Sequence, residues 1–341
     1  MICLMPRPKW LPQQASREII VRFPVVSTAL SAVMFALPLV ATAAPSHTLT
    51  LSLPAGAVVH QVFAKATVQT KGDERMAGTG TVEYDTIIAP VGKGYRVSKT
   101  VTGVTFKLDD ATQAKIGPEG SKVMQAVSTA TLQTPPVFTA DASLSPQRIE
   151  NWDAFKDKMT GLMTTMIGPQ GQSIASNMLG MFDADSAAGA FLKEDRYLAI
   201  PRETALTLNT PVSSSSEASF LFGGQVKARE SIVLTRWDDT VDAAEYDYDF
   251  APDPASLQQA IAAVVPQLVA RMGGADTKDA KDEIDKVAKS MTVDMATHCH
   301  YQADTRTGLI TRATCEARSG VSVQGTSQMK VETYTLSEAL K

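Results

Sequence analysis

The sequence is poor in the residues that usually carry chemistry. It holds four histidines and three cysteines in 341 residues, which leaves no room for the repeated Cys and His spacings of zinc-binding modules. Lysine and arginine form no run, and the formal net charge is -4, so nucleic acid or anionic lipid head groups find little to bind. No apolar run reaches the roughly 20 residues that a membrane-spanning helix needs. The closest, Val25 to Val40, is shorter and interrupted by Pro38.

That run has another reading. Arg7, Lys9, Arg17 and Arg22 precede it and Ala41-Thr42-Ala43 follows it, the basic segment, apolar segment and small-residue cleavage site of a secretory signal peptide. Residues 1–43 are therefore expected to be removed near Ala43, leaving residues 44–341 as a periplasmic or secreted chain with no membrane span. Cutting there removes Cys3 and leaves Cys299 and Cys315. An even cysteine count in an exported chain favours a disulfide.

The stretch HCHYQADTRTGLITRATCEA, 298–317, tests that pairing. A three-residue loop Arg306-Thr307-Gly308 puts glycine where a left-handed backbone is wanted and pairs Thr305 with Leu309. The same register sets Cys299 opposite Cys315, in the wider hydrogen-bonded kind of pair, at about 5 Å between Cα atoms. A metal fits less well, because His298 and His300 lie on one strand face and Cys299 on the other. A metal on the histidine pair, with a third ligand such as His47 or His60, and free thiols are the remaining alternatives.

The rest of the pattern is β-rich with helical interruptions. His47 to Leu53, Val58 to Thr70, and the runs GTVEYDTIIAPV and YRVSKTVTGVTFKL alternate with period two around the turns KGDERM and Gly92-Lys93-Gly94. Helical spacing then takes over: Asn151 is placed to cap 152–167, Gly168-Pro169 to stop it, and shorter helices follow near Ser173 to Phe182 and Ala187 to Leu192. Ser213 to Ser216 reads as a flexible loop. Gln225 to Arg236 and Val241 to Phe250 form a hairpin around Trp237-Asp238-Asp239, pairing Lys227 with Asp249 and Arg229 with Asp247. Helices are expected at Pro254 to Met272, kinked at Pro266, and at Asp276 to Ser290, before the cysteine hairpin and a last strand, QMKVETYTL. The fold class is α+β: one β-rich domain over 44–341, its antiparallel sheet open or curved into a half-barrel, with amphipathic helices from about 151–193 and 254–290 packed on one face.

No catalytic residues are assigned. GQSIA at 171–175 has the outline of a nucleophile elbow but follows a helix instead of a strand. The acidic loop from Asp183 to Glu194 lacks an oxygen ligand at Ala187 and carries its glycine one place late for calcium. Glu245, Asp247 and Asp249 form a solvated strand face. Methionine is the anomaly, with Met159, Met163, Met166, Met178 and Met181 gathered in the helical insertion. Thioethers repack around varied apolar ligands, so these five are the candidate ligand contacts; packing against the sheet and a soft copper site are the alternatives.

The layout resembles the half-barrel lipid carriers of the bacterial periplasm, of the LolA and LppX type. The likeness lies in the strand runs His47 to Leu108 and Gln225 to Phe250, the helices Trp152 to Ile167 and Leu257 to Met272, and the D-x-x-T-G-L turn at Asp304 to Leu309. It implies an exported, non-enzymatic protein that binds an apolar, lipid-like small molecule between sheet and helices, without cofactor or metal. An envelope structural or assembly protein that binds only other proteins is the alternative. Nucleic acid is not an expected partner.

Overall fold

A computed structural model describes residues 5–6, 44–118, 135–219, 225–271, 287–288, 290–323 and 325–341. Residues 7–43 of the expected signal segment and most of the helix expected from Asp276 to Ser290 lie outside these residues. Fourteen strands are present among them: β1 (Met5–Pro6), β2 (Ser46–Thr48), β3 (Val58–Lys71), β4 (Glu74–Val91), β5 (Gly94–Leu108), β6 (Val137–Ala140), β7 (Pro146–Ile149), β8 (Ala205–Thr207), β9 (Val212–Ser219), β10 (Gln225–Asp238), β11 (Ala243–Pro252), β12 (Thr292–Asp304), β13 (Ile310–Val323) and β14 (Thr326–Leu340). Five helices carry labels: α1 (Trp152–Ile167), α2 (Pro169–Leu179), α3 (Ala184–Phe191), α4 (Lys193–Ala199) and α5 (Pro254–Arg271). Residues 110–118 are also helical.

Twelve strands form one open antiparallel sheet in the order β1-β9-β10-β11-β12-β13-β14-β3-β4-β5-β6-β7, while β2 and β8 make a separate ribbon. Two meanders are thus joined where the last strand, β14, pairs with the first long one, β3. Tight turns set the registers. Lys71 faces Glu74 and Val91 faces Gly94 across two-residue loops, with Gly72 and Gly92 at positive φ, as such hairpins require.

Alternation along the strands separates a helix-covered face from the other. Tyr246, Tyr248, Phe250, Cys299, Tyr301, Cys315, Tyr334 and Leu336 are buried on it, together with Leu257, Ile261 and Val264 of α5. A second apolar cluster gathers Val59, Val97, Phe138, Ile149, Trp152, Phe155, Leu179 and Leu192 under α1 to α3. The expected helix stop holds: Gly168 takes a positive φ and Pro169 begins α2. Asn151 occupies the N-cap position of α1 as expected but makes no side-chain capping bond; its amide instead accepts from Val137 N and donates to Pro135 O.

Cys299 faces Cys315 as the turn reading requires, and their sulfurs lie 2.09 Å apart. The Cα separation is 4.0 Å, that of the close cross-strand pair and not the wider hydrogen-bonded kind. The loop explains the change, since Ala303 pairs with Ile310 and Thr311 is bulged out. Gly308 has φ 73°, and a Cβ there would meet Thr50 O at 2.3 Å, so the turn closes against the segment around Thr50.

Two further expectations fail. Strands β10 and β11 pair four places away from the register drawn around Trp237, with Ser231 opposite Asp249 and Val233 opposite Asp247. Asp247 and Asp249 bind His300 and His298 across β12 instead, each at 2.9 Å. The turn is longer than expected because Asp238 accepts from Thr240 N and Thr240 Oγ1, extending the loop through Asp242, whose φ is positive. Ser213 to Ser216, read as a loop, belongs to β9.

A buried polar network joins the two clusters. Arg202 pairs with Glu338 and also donates to Gly308 O at 2.9 Å and Leu198 O at 3.0 Å. Glu338 further accepts from Ile310 N at 2.8 Å and from Gln61 Nε2 at 3.0 Å, and Gln61 accepts from Thr86 Oγ1 at 2.7 Å. Both charged side chains are essentially sealed from water. Glu338→Leu, which strands Arg202, is expected to lower unfolding free energy by about 3–5 kcal/mol; a loss below about 1 kcal/mol in urea titration would disprove the network's structural role. Replacing Cys299 and Cys315 together by alanine is expected to cost about 3 kcal/mol in the chain-entropy account, and an unchanged denaturation midpoint would refute it.

Candidate functional site

The site begins with a break in the alternation of β5. Glu83 pairs with Gly103 and Tyr84 with Val101, so Thr102 is bulged. Odd residues before the bulge and even ones after it then share a face, which brings Lys99, Phe106 and Leu108 to one side. Gly78 and Gly80 of β4 place no side chain there. A Cβ at Gly80 would stand 3.7 Å from Phe106 Cδ2 and Thr105 O, an ordinary contact. Gly80 keeps space open above the sheet, whereas a Cβ at Gly78 would stand 3.0 Å from Leu108 Cδ2 and 3.3 Å from Lys107 O, a close fit.

The result is a cleft of about 650 Å³ between sheet and helices. Its floor is Phe63, Lys65, Thr67 and Gln69 of β3, Met76, Val82 and Tyr84 of β4, and Lys99, Phe106 and Leu108 of β5. Thr112, Ile116, Pro135, Pro136, Ile149, Phe155, Phe191, Leu192, Glu194 and Asp195 complete it. Packed rings brace the helical side: Phe191 stands 5.5 Å from Phe155 and from Trp152 and 5.6 Å from Phe182, and Trp152 Nε1 donates to Phe182 O.

At the base lies a buried ion pair. Lys99 Nζ is 2.5 Å from Asp195 Oδ1 and sits over the rings of Phe63 and Tyr84 at 4.3 and 4.8 Å. Burial pushes the Asp195 carboxyl up, with Lys99 opposing the shift, and burial likewise pushes the Tyr84 hydroxyl up. Beside this base, Glu332 receives Lys65 at 2.7 Å, Lys193 at 3.5 Å and Lys330. Burial opposes ionisation of Glu332, but the ammonium groups of Lys193 and Lys65 and the hydrogen bond from Lys330 outweigh it and hold the carboxyl at about 2.

The candidate methionines have a different placement. Met159 and Met163 are half-buried against the second core cluster and Met181 is half-buried; the side chains of Met166 and Met178 lie outside the described residues. The described lining contains Met76, and helix α1 reaches it through Phe155. Lys99 escaped the sequence reading although it left a signal: it occupies the phase of Val97, a charge on an apolar strand face. Asp183, at the head of the calcium-like loop, caps α3 by accepting from Ser186 N, and Asp185 pairs with Arg148. His47 stacks on Trp237 and His60 binds Asp85. No group of three or more His, Cys, Asp or Glu arranged for a metal ion occurs among the described residues, and no described helix is long and apolar enough to cross a membrane.

No family model and no curated protein matches the chain in sequence. Among solved structures it is similar to one described as lipid-protein interactions in lipovitellin, with 10% identity and a TM-score of 0.42 over 84% of this chain and 25% of that one. This chain therefore spans about a quarter of that protein's length.

Glu332 yields a signed pH dependence. Its folded-state value lies below the ordinary 4.5, so its contribution is full above about pH 4.5 and disappears as pH falls toward 2. Glu332→Gln is expected to cost on the order of 2 kcal/mol at neutral pH, after discounting for partial exposure, and progressively less in acid. A stability difference that stays constant from pH 7 to about 3 would contradict this.

Proposed function

We propose that this is an exported binding protein that holds an apolar, lipid-like molecule in the cleft between sheet and helices. Its first 43 residues would direct export and be cut near Ala43, placing the mature chain in the periplasm or outside the cell. In this reading the protein works as a half-barrel carrier or sensor and performs no reaction on what it carries.

The observation that carries the reading is the cleft itself. Its size falls within the range of about 300–1,000 Å³ usual for small-molecule sites, and Val82, Phe106, Leu108, Ile149, Phe155, Phe191 and Leu192 line it. Apolar surface of this kind favours an apolar guest because water leaves both. Its form also accounts for Gly80 on β4, whose missing side chain leaves volume beside Phe106. An envelope component that binds only other proteins would be better served by a broad apolar patch without a recess; the recess weighs for the small ligand.

Native mass spectrometry of the protein recovered from the periplasm of an expressing bacterium reads both parts of the proposal. The expected mass is that of the chain from Ala44 with a co-purifying apolar molecule. Gly80→Leu, which fills the cleft, is expected to remove that molecule and weaken binding of an apolar fluorescent probe about tenfold or more. A full-length mass would overturn export by cleavage. A probe bound equally by both proteins would overturn the cleft as its site.

A further inference from the structure

We propose that the molecule held in the cleft is uncharged and ends in a hydroxyl group, which donates to Asp195 beside Lys99 and Tyr84 while the chain behind it lies along β4 and β5. This rests on the reading of the cleft as a ligand site and adds the chemistry of the ligand's polar end.

The lining balances its charges. It carries two lysines, Lys65 and Lys99, and two carboxylates, Glu194 and Asp195. Each lysine already meets a carboxylate: Lys65 reaches Glu332 at 2.7 Å and Lys99 reaches Asp195 at 2.5 Å. An ion that enters such a cleft gives up its water, and that cost is recovered only against an opposite charge free to pair with it. At the base an anion would find Asp195 beside Lys99, and a cation would find Lys99 beside Asp195. A hydroxyl suits both ends of the pair, because it carries a donor and an acceptor at one atom.

Hydrogen-bonding capacity remains at this base. Lys99 engages Asp195 Oδ1, and among the described residues neither Asp195 Oδ2 nor the Tyr84 hydroxyl has a hydrogen-bond partner. Both residues line the cleft. The hydroxyls of Tyr246 and Tyr334 also lack a partner, but they are sealed in the core and out of a ligand's reach. From Tyr84 the sheet runs away as an apolar track, with Gly80 opposite Phe106 and Gly78 opposite Leu108. Six residues of strand from Tyr84 to Gly78 cover about 20 Å, so a chain anchored at the base has a long apolar bed. The side chains of Lys99 and Asp195 are only 2% and 9% exposed, so little water competes for the bond that the ligand makes there.

The test compares ligands that share one chain and differ at its end. Dodecanol, its methyl ether, dodecanoate and dodecylammonium are used to displace an apolar fluorescent probe from delipidated mature protein. Dodecanol is expected to bind about fivefold more tightly than the ether, the scale of one hydrogen bond, and more tightly than either ion. A purely apolar cleft would favour the ether, which leaves less behind in water. Asp195→Asn keeps an oxygen for Lys99 but sets an amide donor where the second oxygen stood, and is expected to erase the preference for alcohol over ether. Tyr84→Phe leaves the ion pair intact and is expected to weaken dodecanol binding about threefold at an unchanged melting temperature. An ether bound as tightly as the alcohol would overturn the hydroxyl contact, and tightest binding of either ion would overturn the uncharged end; both leave the apolar cleft standing. Dodecanol binding that neither substitution alters would place the polar end elsewhere and overturn the assignment. Failure of all four to displace the probe would overturn the cleft reading with it.

Discussion

The contact between Arg202 and Glu338 is the constraint on which the remainder depends. It is out of water, and an ion pair so placed persists only if its other hydrogen-bonding capacity is also met. Gly308 O, Leu198 O, Ile310 N and Gln61 Nε2 meet it. Those partners belong to the cysteine hairpin, to α4 and to the sheet on both sides of the β14–β3 seam. One polar node therefore holds the two apolar clusters in a fixed relation, something that non-directional apolar contact does weakly.

The same short segment shapes one end of the cleft. Helix α4 has seven residues, far too few to be stable alone, and its charged side chains do the anchoring. Asp195 reaches Lys99 on β5, Lys193 reaches Glu332 on β14, and Arg202, just past its end, reaches Glu338. The rim of the cleft is thus held by ion pairs to separate strands, while its apolar wall is left open on β4. Polar contacts position, and the apolar surface stays available.

Much of the fold was legible where local geometry dictates it. Polar and glycine-rich turns marked the β3–β4 and β4–β5 hairpins, though not their two-residue lengths, Gly308 marked the turn that aligns Cys299 with Cys315, and Gly168-Pro169 marked the end of α1. The β10–β11 register was not legible, because opposite charges can be drawn into pairs in several alignments and each exposed pair is worth only about 0.2–1 kcal/mol. Asp247 and Asp249 answered histidines from a strand some fifty positions further along. The site was less legible still. The bulge at Thr102 reverses the inward phase of β5 without any glycine or proline at Thr102 itself, and the ion pair at the base of the cleft joins Lys99 to Asp195 from distant segments. Of α1, Phe155 lines the cleft, whereas the candidates Met159 and Met163 on the same helix pack against the second apolar cluster.

The seam between β14 and β3 has a consequence for how the chain comes together. Leu340 pairs with Val59 and Gln328 with Lys71, so the first long strand, already paired with β4 on one edge, finds its second neighbour only when β14 has been made. Contacts this distant in sequence are slow to form. Until they do, one edge of β3 offers its unpaired backbone to any passing strand. A chain that emerges N-terminus first must therefore keep that edge from wrong partners until β14 has been made, and loss of β14 would divide the sheet near its centre instead of fraying its border.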